Sequence, residues 1–386
     1  FMMLGALGYM FGTGGTALVA KTMGEGDDKR ARGLFSLIVY ATLIVGIVCG
    51  VVVFVAVGSV AGALGAEGSL LEECVVYGSI LAFSLPFFML QETFQSLLTA
   101  AGKPKVGLCV MVVAGVANIA LDALFIIVFQ WGLAGAALAT AISEVLGGAI
   151  PFLYFARPNS STLRLGRPLI DVRALGRVCV NGSSELVSNL SMSLVSMVYN
   201  FQLMAYIGPD GVAIYGVIQY VAWIAVSLLM GFTVGASPII SYHYGAQNSA
   251  ELKGLFRTCL GVMVAGGVLI TVLTHLFAHP LAAVFVGYDP VLCEMTVAAL
   301  GEYSLAFIFV GVSIFGSAFF TALNNGLVSA LISFLRTLVF ECAAVMFLPA
   351  IIGVDGIWLS IVVAEIASMF LTGGFLVGLR KHYDYA

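Results

Sequence analysis

The sequence is poor in charge. Only 9% of its 386 residues are Asp, Glu, Lys or Arg, while 61% are hydrophobic. An ordinary soluble domain carries about 25% charged residues. This shortage excludes a soluble globular protein of such length, which would need far more polar surface to cover its cores. The net charge of −4 matters less than how the charges are distributed, and no nucleic-acid partner is expected. Cysteines are few and scattered: the seven at 49, 74, 109, 179, 259, 293 and 342 form no CxxC pair. That excludes a disulfide framework or a zinc site, and they read as small helix-packing residues. Enzyme signatures are absent too. There is no HExxH and no GxSxG, and "AAGKPK" (100–105) has Pro where a P-loop needs Ser or Thr. His275 and His279 are four apart but have no third ligand near them in sequence. The chain is read as neither an enzyme nor a cofactor protein.

What the chain does have is long apolar runs. They are about twenty residues or more, the length of membrane-crossing helices, not the roughly ten-residue alternating segments of a membrane β-barrel. Hydropathy places eleven spans, at 1–20, 34–58, 73–98, 106–128, 135–156, 178–206, 212–241, 255–278, 292–322, 327–349 and 355–379. Lys and Arg fall in alternate loops: Lys21, Lys29, Arg30 and Arg32; Lys103 and Lys105; Arg157, Arg164, Arg167, Arg173 and Arg177; Lys253 and Arg257; then Arg380 and Lys381. The intervening loops contain none and carry Glu67, Glu72, Asp210 and Asp289. By the positive-inside rule the basic loops face the cytoplasm. Residue 1 then lies at the outer face, and a preceding helix is expected, for twelve spans in the full-length protein with both ends cytoplasmic.

The chain also repeats itself. "GGTALVAKTMGEGDDKRARGLF" (14–35) matches "GASPIISYHYGAQNSAELKGLF" (235–256) at a shift of 221, pairing Gly24 with Gly245 and Gly33-Leu34-Phe35 with Gly254-Leu255-Phe256. "WGLAGAALATAISE" (131–144) matches "IGVDGIWLSIVVAE" (352–365) at the same shift, and "LTAAGKPK" (98–105) resembles "FTALNNGL" at a shift of 222. A period of six helices is even, so the halves share one orientation. The expected architecture is an all-α integral membrane protein of two parallel six-helix lobes related by a pseudo-two-fold axis along the membrane normal. The lobes are 1–156 and 178–386. The polar, basic stretch 157–177 is the cytoplasmic linker, with a short surface helix at 167–177, and its basic residues suit membrane lipid headgroups.

Seven carboxylates lie inside these spans, at Glu92, Asp122, Glu144, Glu185, Glu302, Glu341 and Glu365, against one deep cation, Arg336. An ionised carboxylate at mid-bilayer costs about 3 kcal/mol or more, and one Arg cannot neutralise seven acids. Such a surplus suits a proton or sodium relay and cationic cargo. In "GVANIALDALFIIVF" (115–129), Asn118 and Asp122 share one helix face. The next span offers Ala136 and Thr140 among small residues that permit close helix approach. Together they could ligate Na⁺ or hold a titrating acid; the alternative is a structural interhelical hydrogen bond. Glu185 sits on a polar face with Asn181, Ser184, Ser188 and Asn189. Glu302 lies beside Tyr303 in the outer half of its span. Glu144 and Glu365 hold equivalent repeat positions, which favours a shared structural role. Glu92, near a span end, is expected to be wet. Glu341 is the candidate partner of Arg336, although five residues apart is not one helix face.

The stretches "GTGGTALVAKTMGEGDDKRA", "AAGKPKVG", "NIALDALFI", "GLAGAALATAIS" and "GASPIISYHYGAQN" resemble signatures of the multidrug and toxic compound extrusion (MATE) family, bacterial exporter branch, over almost the whole chain. The resemblance implies twelve helices in two lobes around a V-shaped cavity. It implies export of small organic cations from the cell in exchange for H⁺ or Na⁺, by a protein expected to be monomeric. The family's amino-terminal cation site falls here on Asn118, Asp122, Ala136 and Thr140, and its first-helix Asp would precede this sequence. Another branch uses a seventh-helix Glu and a tenth-helix acid, roughly Glu185 and Glu302. The coupling ion and its lobe stay open. A lipid-intermediate flippase of the same superfamily would need several deep basic residues for pyrophosphate. A major-facilitator transporter would carry G-x-x-x-D-R-x-G-R-R, which "GEGDDKRARG" matches poorly.

Overall fold

The computed structural model describes residues 2–63 and 65–385, and every regular element among them is helical. In order these are α1 (Met2–Gly24), α2 (Asp28–Ala63), α3 (Ser69–Ala100), α4 (Pro104–Asp122), α5 (Gly132–Ala156), α6 (Val172–Tyr206), α7 (Pro209–Gly245) and α8 (Ser249–Leu276). They continue with α9 (Ala278–Val286), α10 (Pro290–Ser304), α11 (Phe307–Ala322), α12 (Gly326–Phe334), α13 (Glu341–Phe347), α14 (Pro349–Ile352), α15 (Asp355–Gly378) and α16 (Arg380–Tyr383). Two π-helical turns interrupt the sequence of α-helices, Ala123–Val128 after α4 and Leu335–Phe340 between α12 and α13.

The helices begin where short polar side chains can take up free backbone N–H groups. Asp27 Oδ1 accepts from Arg30 N at 3.0 Å ahead of α2, and Asn248 Oδ1 accepts from Glu251 N at 3.2 Å ahead of α8. These caps are 221 residues apart, as the repeat requires. The turns repeat as well. Left-handed backbone occurs at Gly26 and Gln247, at Gly102 and Asn324, and at Gly132 and Gly353, pairs separated by 221, 222 and 221 residues.

Among the described residues nine helices are long and apolar enough to cross a membrane, or ten if α10 and α11, bent by 45° at their junction, form one span. The span read at 178–206 is the difference. It belongs to α6, which is 35 residues long but too polar to join that set, because Asn181, Ser183, Ser184, Glu185, Ser188 and Asn189 crowd its middle.

The chain divides into two compact units, Phe1–Gly182 and Ser183–Ala386, with the boundary inside α6. The stretch 157–171 is fastened to the first unit. Arg32 Nε donates to Thr162 O at 2.6 Å, Gly166 N to Ser36 Oγ at 3.1 Å, Leu169 N to Gly33 O at 3.0 Å and Ser161 Oγ to Ala101 O at 3.1 Å. In place of a separate surface helix at 167–177, residues 172–177 are the first turns of α6.

In the first unit α1, α2 and α5 pack on α3. Phe155 of α5 anchors this core, with Phe35 at 4.8 Å edge-on and Phe94 stacked at 5.8 Å. The start of α6 lies against α1 so closely that a Cβ on Gly182 would overlap the Met10 carbonyl, and one on Gly14 the Val178 carbonyl. Backbone cannot retreat as a flexible side chain can. Gly182→Ala is therefore expected to cost about 1–3 kcal/mol, read as a lower Tm and less monodisperse protein. Gly216→Ala, where nothing lies within 4 Å, is expected to be harmless. In the second unit α8 and α11 meet in the same manner, Gly267 against the Phe307 carbonyl and Gly311 against the Met263 carbonyl. There the segment after α15 folds back: Tyr385 is fully buried, 5.1 Å from the Phe256 ring and 4.8 Å from Phe319, and its hydroxyl donates to Leu376 O at 2.7 Å.

Candidate functional site

Asp122 is the last residue of α4, at the point where α-helix gives way to the π turn 123–128. Such turns recur at functional sites because the extra residue re-aims the side chains around it. The turn packs on the start of α5, where a Cβ on Gly135 would lie 3.0 Å from Phe125 Cβ. Phe125, Phe129 and Trp131 cluster at its end, with ring centroids 5.1–6.1 Å apart. Much of α4 turns outward, with Val112, Val116 and Ile119 exposed as a lipid-facing surface would be. Asn118 and Asp122 are half-buried on α4, and Ala136 and Thr140 half-buried on α5, which packs against it. The structure thus puts all four on two adjoining helices. Asp122 takes part in none of the ion pairs seen among the described residues.

A second acid group in this unit lies on α3 and α5. Glu92 is only 6% exposed, against the expectation that it is wet, because α1 covers it: the Tyr9 side chain hydrogen-bonds its carboxyl, and its Oε2 is buried without a partner. Glu144 accepts from Ser84 Oγ and lies within electrostatic reach of Glu92.

The second unit holds a group organised around Arg336. Its Nε donates to Glu365 Oε1 at 2.8 Å, and Glu365 is 2% exposed with Oε2 unpartnered. Arg336 stands within the π turn 335–340, and Glu341 is the first residue after it. Hydrogen bonds from i to i+5 bring residues five apart towards one side, so Glu341 feels both Arg336 and Glu365. Glu341, the partner expected for Arg336, is thus within its electrostatic reach, but the ion pair is made with Glu365. Glu185 is half-buried on α6 and also lies within reach of the Arg336 charge. Tyr199, Tyr215 and Tyr303 close the group electrostatically; Tyr199 and Tyr215 stack at 4.9 Å. Glu302 stands apart. Its charged neighbour is Asp355, and its Oε2 is buried without a partner.

The shared role read for Glu144 and Glu365 holds only in part. Both acids are buried or nearly so, but one bonds a serine of α3 and the other an arginine of the π turn. The repeat explains the difference, since the position 221 residues before Arg336 is Gly115. His275 bonds Ser304 Oγ at 3.1 Å, and among the described residues no three His, Cys, Asp or Glu stand together as a metal site.

Long apolar helices that carry half-buried and buried carboxylates, an arginine–glutamate pair and a tyrosine cluster define a polytopic membrane protein. Comparison with known proteins gives the particular family. The MatE family model matches residues 1–124 and 186–344, and the chain belongs to the MatE family of membrane transporters. It is 25% identical over 374 residues to the multidrug export protein MepA of Staphylococcus saprophyticus, covering 95% of this chain and 80% of that one. It is 24% identical over 370 residues to MepA of Staphylococcus aureus strain NCTC 8325, with the same coverage. The crystal structure of a MATE protein in complex with MaL6 superposes with a TM-score of 0.93 at 21% identity, over 99% of this chain and 86% of that one. A MOP-superfamily transporter from Pyrococcus furiosus superposes with a TM-score of 0.91 at 21% identity, over 99% and 85%.

Proposed function

We propose that the protein exports small organic cations, drugs among them, across the cytoplasmic membrane in exchange for H⁺ or Na⁺, by alternating access of two lobes. The relatives named multidrug export protein supply the cargo class. The observation that carries the coupling half is Asp122: a half-buried carboxylate at an α-to-π junction, outside every ion pair seen among the described residues. Its charge is costly in a lipid-like setting and costs little in water. A bound H⁺ or Na⁺ cancels that cost, so occupancy biases the protein between a state that shields Asp122 and one that opens it to water. Cargo that favours the opposite state is then exchanged for the ion. Asn118 and Thr140 would supply neutral oxygen ligands, and Ala136 the room for helix approach. Glu185, in the field of Arg336, is the alternative coupling acid.

The flippase reading loses ground on geometry. Arg336 is the one deep cation in the sequence, and it is tied to Glu365. By the positive-inside rule the basic loops face the cytoplasm, and a monomer surrounded by lipid suffices for the exchange. The test is efflux of a fluorescent organic cation from proteoliposomes under an imposed H⁺ gradient, then an imposed Na⁺ gradient. Acceleration by one of them is expected and names the ion. No gradient-driven flux of any organic cation would return the flippase to first place.

A further inference from the structure

We infer that the first unit carries a binding site for a phosphate-bearing anion, the headgroup of an anionic phospholipid, in the cleft where the segment before α6 meets the start of α2. The cleft has a volume of about 580 Å³ and is lined by Lys29, Arg30, Arg167, Asp27, Pro168 and Leu169. It exists because the segment is pinned to α2: Leu169 N donates to Gly33 O at 3.0 Å, and a Cβ on Gly33 would lie 2.9 Å from Leu169 Cβ. Lys29, Arg30 and Arg167 take part in none of the ion pairs seen among the described residues. The one acid lining the cleft, Asp27, already accepts the Arg30 backbone N–H as a helix cap. Three cations facing one shared space call for an anion, and two guanidinium forks with one ammonium match phosphate oxygens.

The second half of the repeat shows how the same scaffold looks when the anion is built in. Its counterpart of Asp27 is the cap Asn248, and the counterparts of Lys29, Arg30 and Arg32 are Ala250, Glu251 and Lys253. Two of three cations are therefore gone. The third is answered by the chain itself, since the segment after α15 folds back and sets Asp384 Oδ1 2.9 Å from Lys253 Nζ. Hydrogen bonds from Lys253 and from Ser249 hold the Asp384 carboxyl below the usual carboxylate range, so it stays charged. In the first half the counterpart of Lys253, Arg32, donates instead to Thr162 O at 2.6 Å, the position matching Asp384 is Leu163, and the returning segment adds a further cation, Arg167, to the cleft. An anion from outside would balance that charge.

Two residues beside the cleft favour lipid over free phosphate as its source. Ile170 is 87% exposed and Val172 79% exposed, an apolar pair suited to the acyl edge of a membrane interface. The cleft also lies immediately before the first residue of α6, the helix that leaves the first unit at Gly182.

The test is native mass spectrometry of the full-length protein released from mixed micelles of phosphatidylglycerol and phosphatidylcholine. Wild type is expected to keep phosphatidylglycerol selectively, and Lys29→Gln/Arg30→Gln/Arg167→Gln to lose about tenfold of that retention. The control Lys105→Gln/Arg257→Gln/Arg380→Gln removes equal charge from basic loops elsewhere and is expected to keep it. Equal loss in both variants, or no loss in the first, overturns the site. Displacement by excess inorganic phosphate would assign the cleft to phosphate itself, and resistance to it assigns the cleft to lipid. If the triple variant does not fold, Arg167→Gln alone, on an exposed segment, is expected to lower retention severalfold, and unchanged retention again overturns the site.

Discussion

Asp122→Asn is expected to leave a folded, monodisperse protein whose export no longer responds to an ion gradient. Asn keeps the shape of Asp and its ability to hydrogen-bond, but it neither binds a proton at physiological pH nor offers a charge to Na⁺. At the end of α4 the side chain is half-buried and makes no ion pair among the described residues, so removing its charge leaves no partner stranded. Stability should move by less than about 0.5 kcal/mol, the range of substitutions away from buried networks. Gradient-driven efflux of a fluorescent cation from proteoliposomes should fall by about tenfold or more, equal to a loss of ~1.4 kcal/mol of coupling. Binding of the dye in the absence of a gradient should persist. Undiminished export would make Asp122 a structural residue and turn attention to Glu185 and Glu302.

Arg336→Met is expected to act in the opposite way, on stability first. It strands Glu365, which is 2% exposed and already has one unpartnered oxygen, in the field of Glu341. Breaking a buried pair from one side costs about 3–5 kcal/mol, because the remaining charge is buried without compensation. The variant should melt well below wild type in detergent, or fail to accumulate. Replacing both partners, as Arg336→Met/Glu365→Leu, should recover most of the loss, since a buried ion pair and an apolar pair of similar volume are often close in energy. A melting temperature unchanged by Arg336→Met alone would show that the pair contributes nothing to the second unit.

Much of this fold can be read from the residues. Apolar runs fix the helices because the backbone must satisfy itself wherever water is scarce. Short polar residues and glycines fix the turns, which is why Gly26 and Gln247, or Gly102 and Asn324, adopt matching left-handed backbone at repeat-related positions. Asn118, Asp122, Ala136 and Thr140 could be placed on neighbouring helices for the same reason, their spacing being local. The partner of Arg336 could not. Which of several buried acids an arginine meets depends on how α15 packs against the π turn, and period counting assumes a regular helix at the place where this one is irregular. The burial of Glu92 is hidden on similar grounds: its place near the end of α3 says nothing about α1 lying over it. In α6 the Asn- and Ser-rich middle is legible as a polar face around Glu185, and the same residues keep the helix out of the most apolar set.

The π turn after Asp122 amounts to a spare residue stored in a helix. An α-helix advances about 1.5 Å and turns about 100° per residue. Removing one residue from 123–128 would restore regular geometry and swing Asp122 by roughly that angle relative to everything after it. The same change of facing is available without any deletion if the bulge passes along the helix one step at a time, each hydrogen bond exchanging for its neighbour. A carboxylate fixed to such a segment can rotate out of one environment and into another while the helix around it stays intact from end to end.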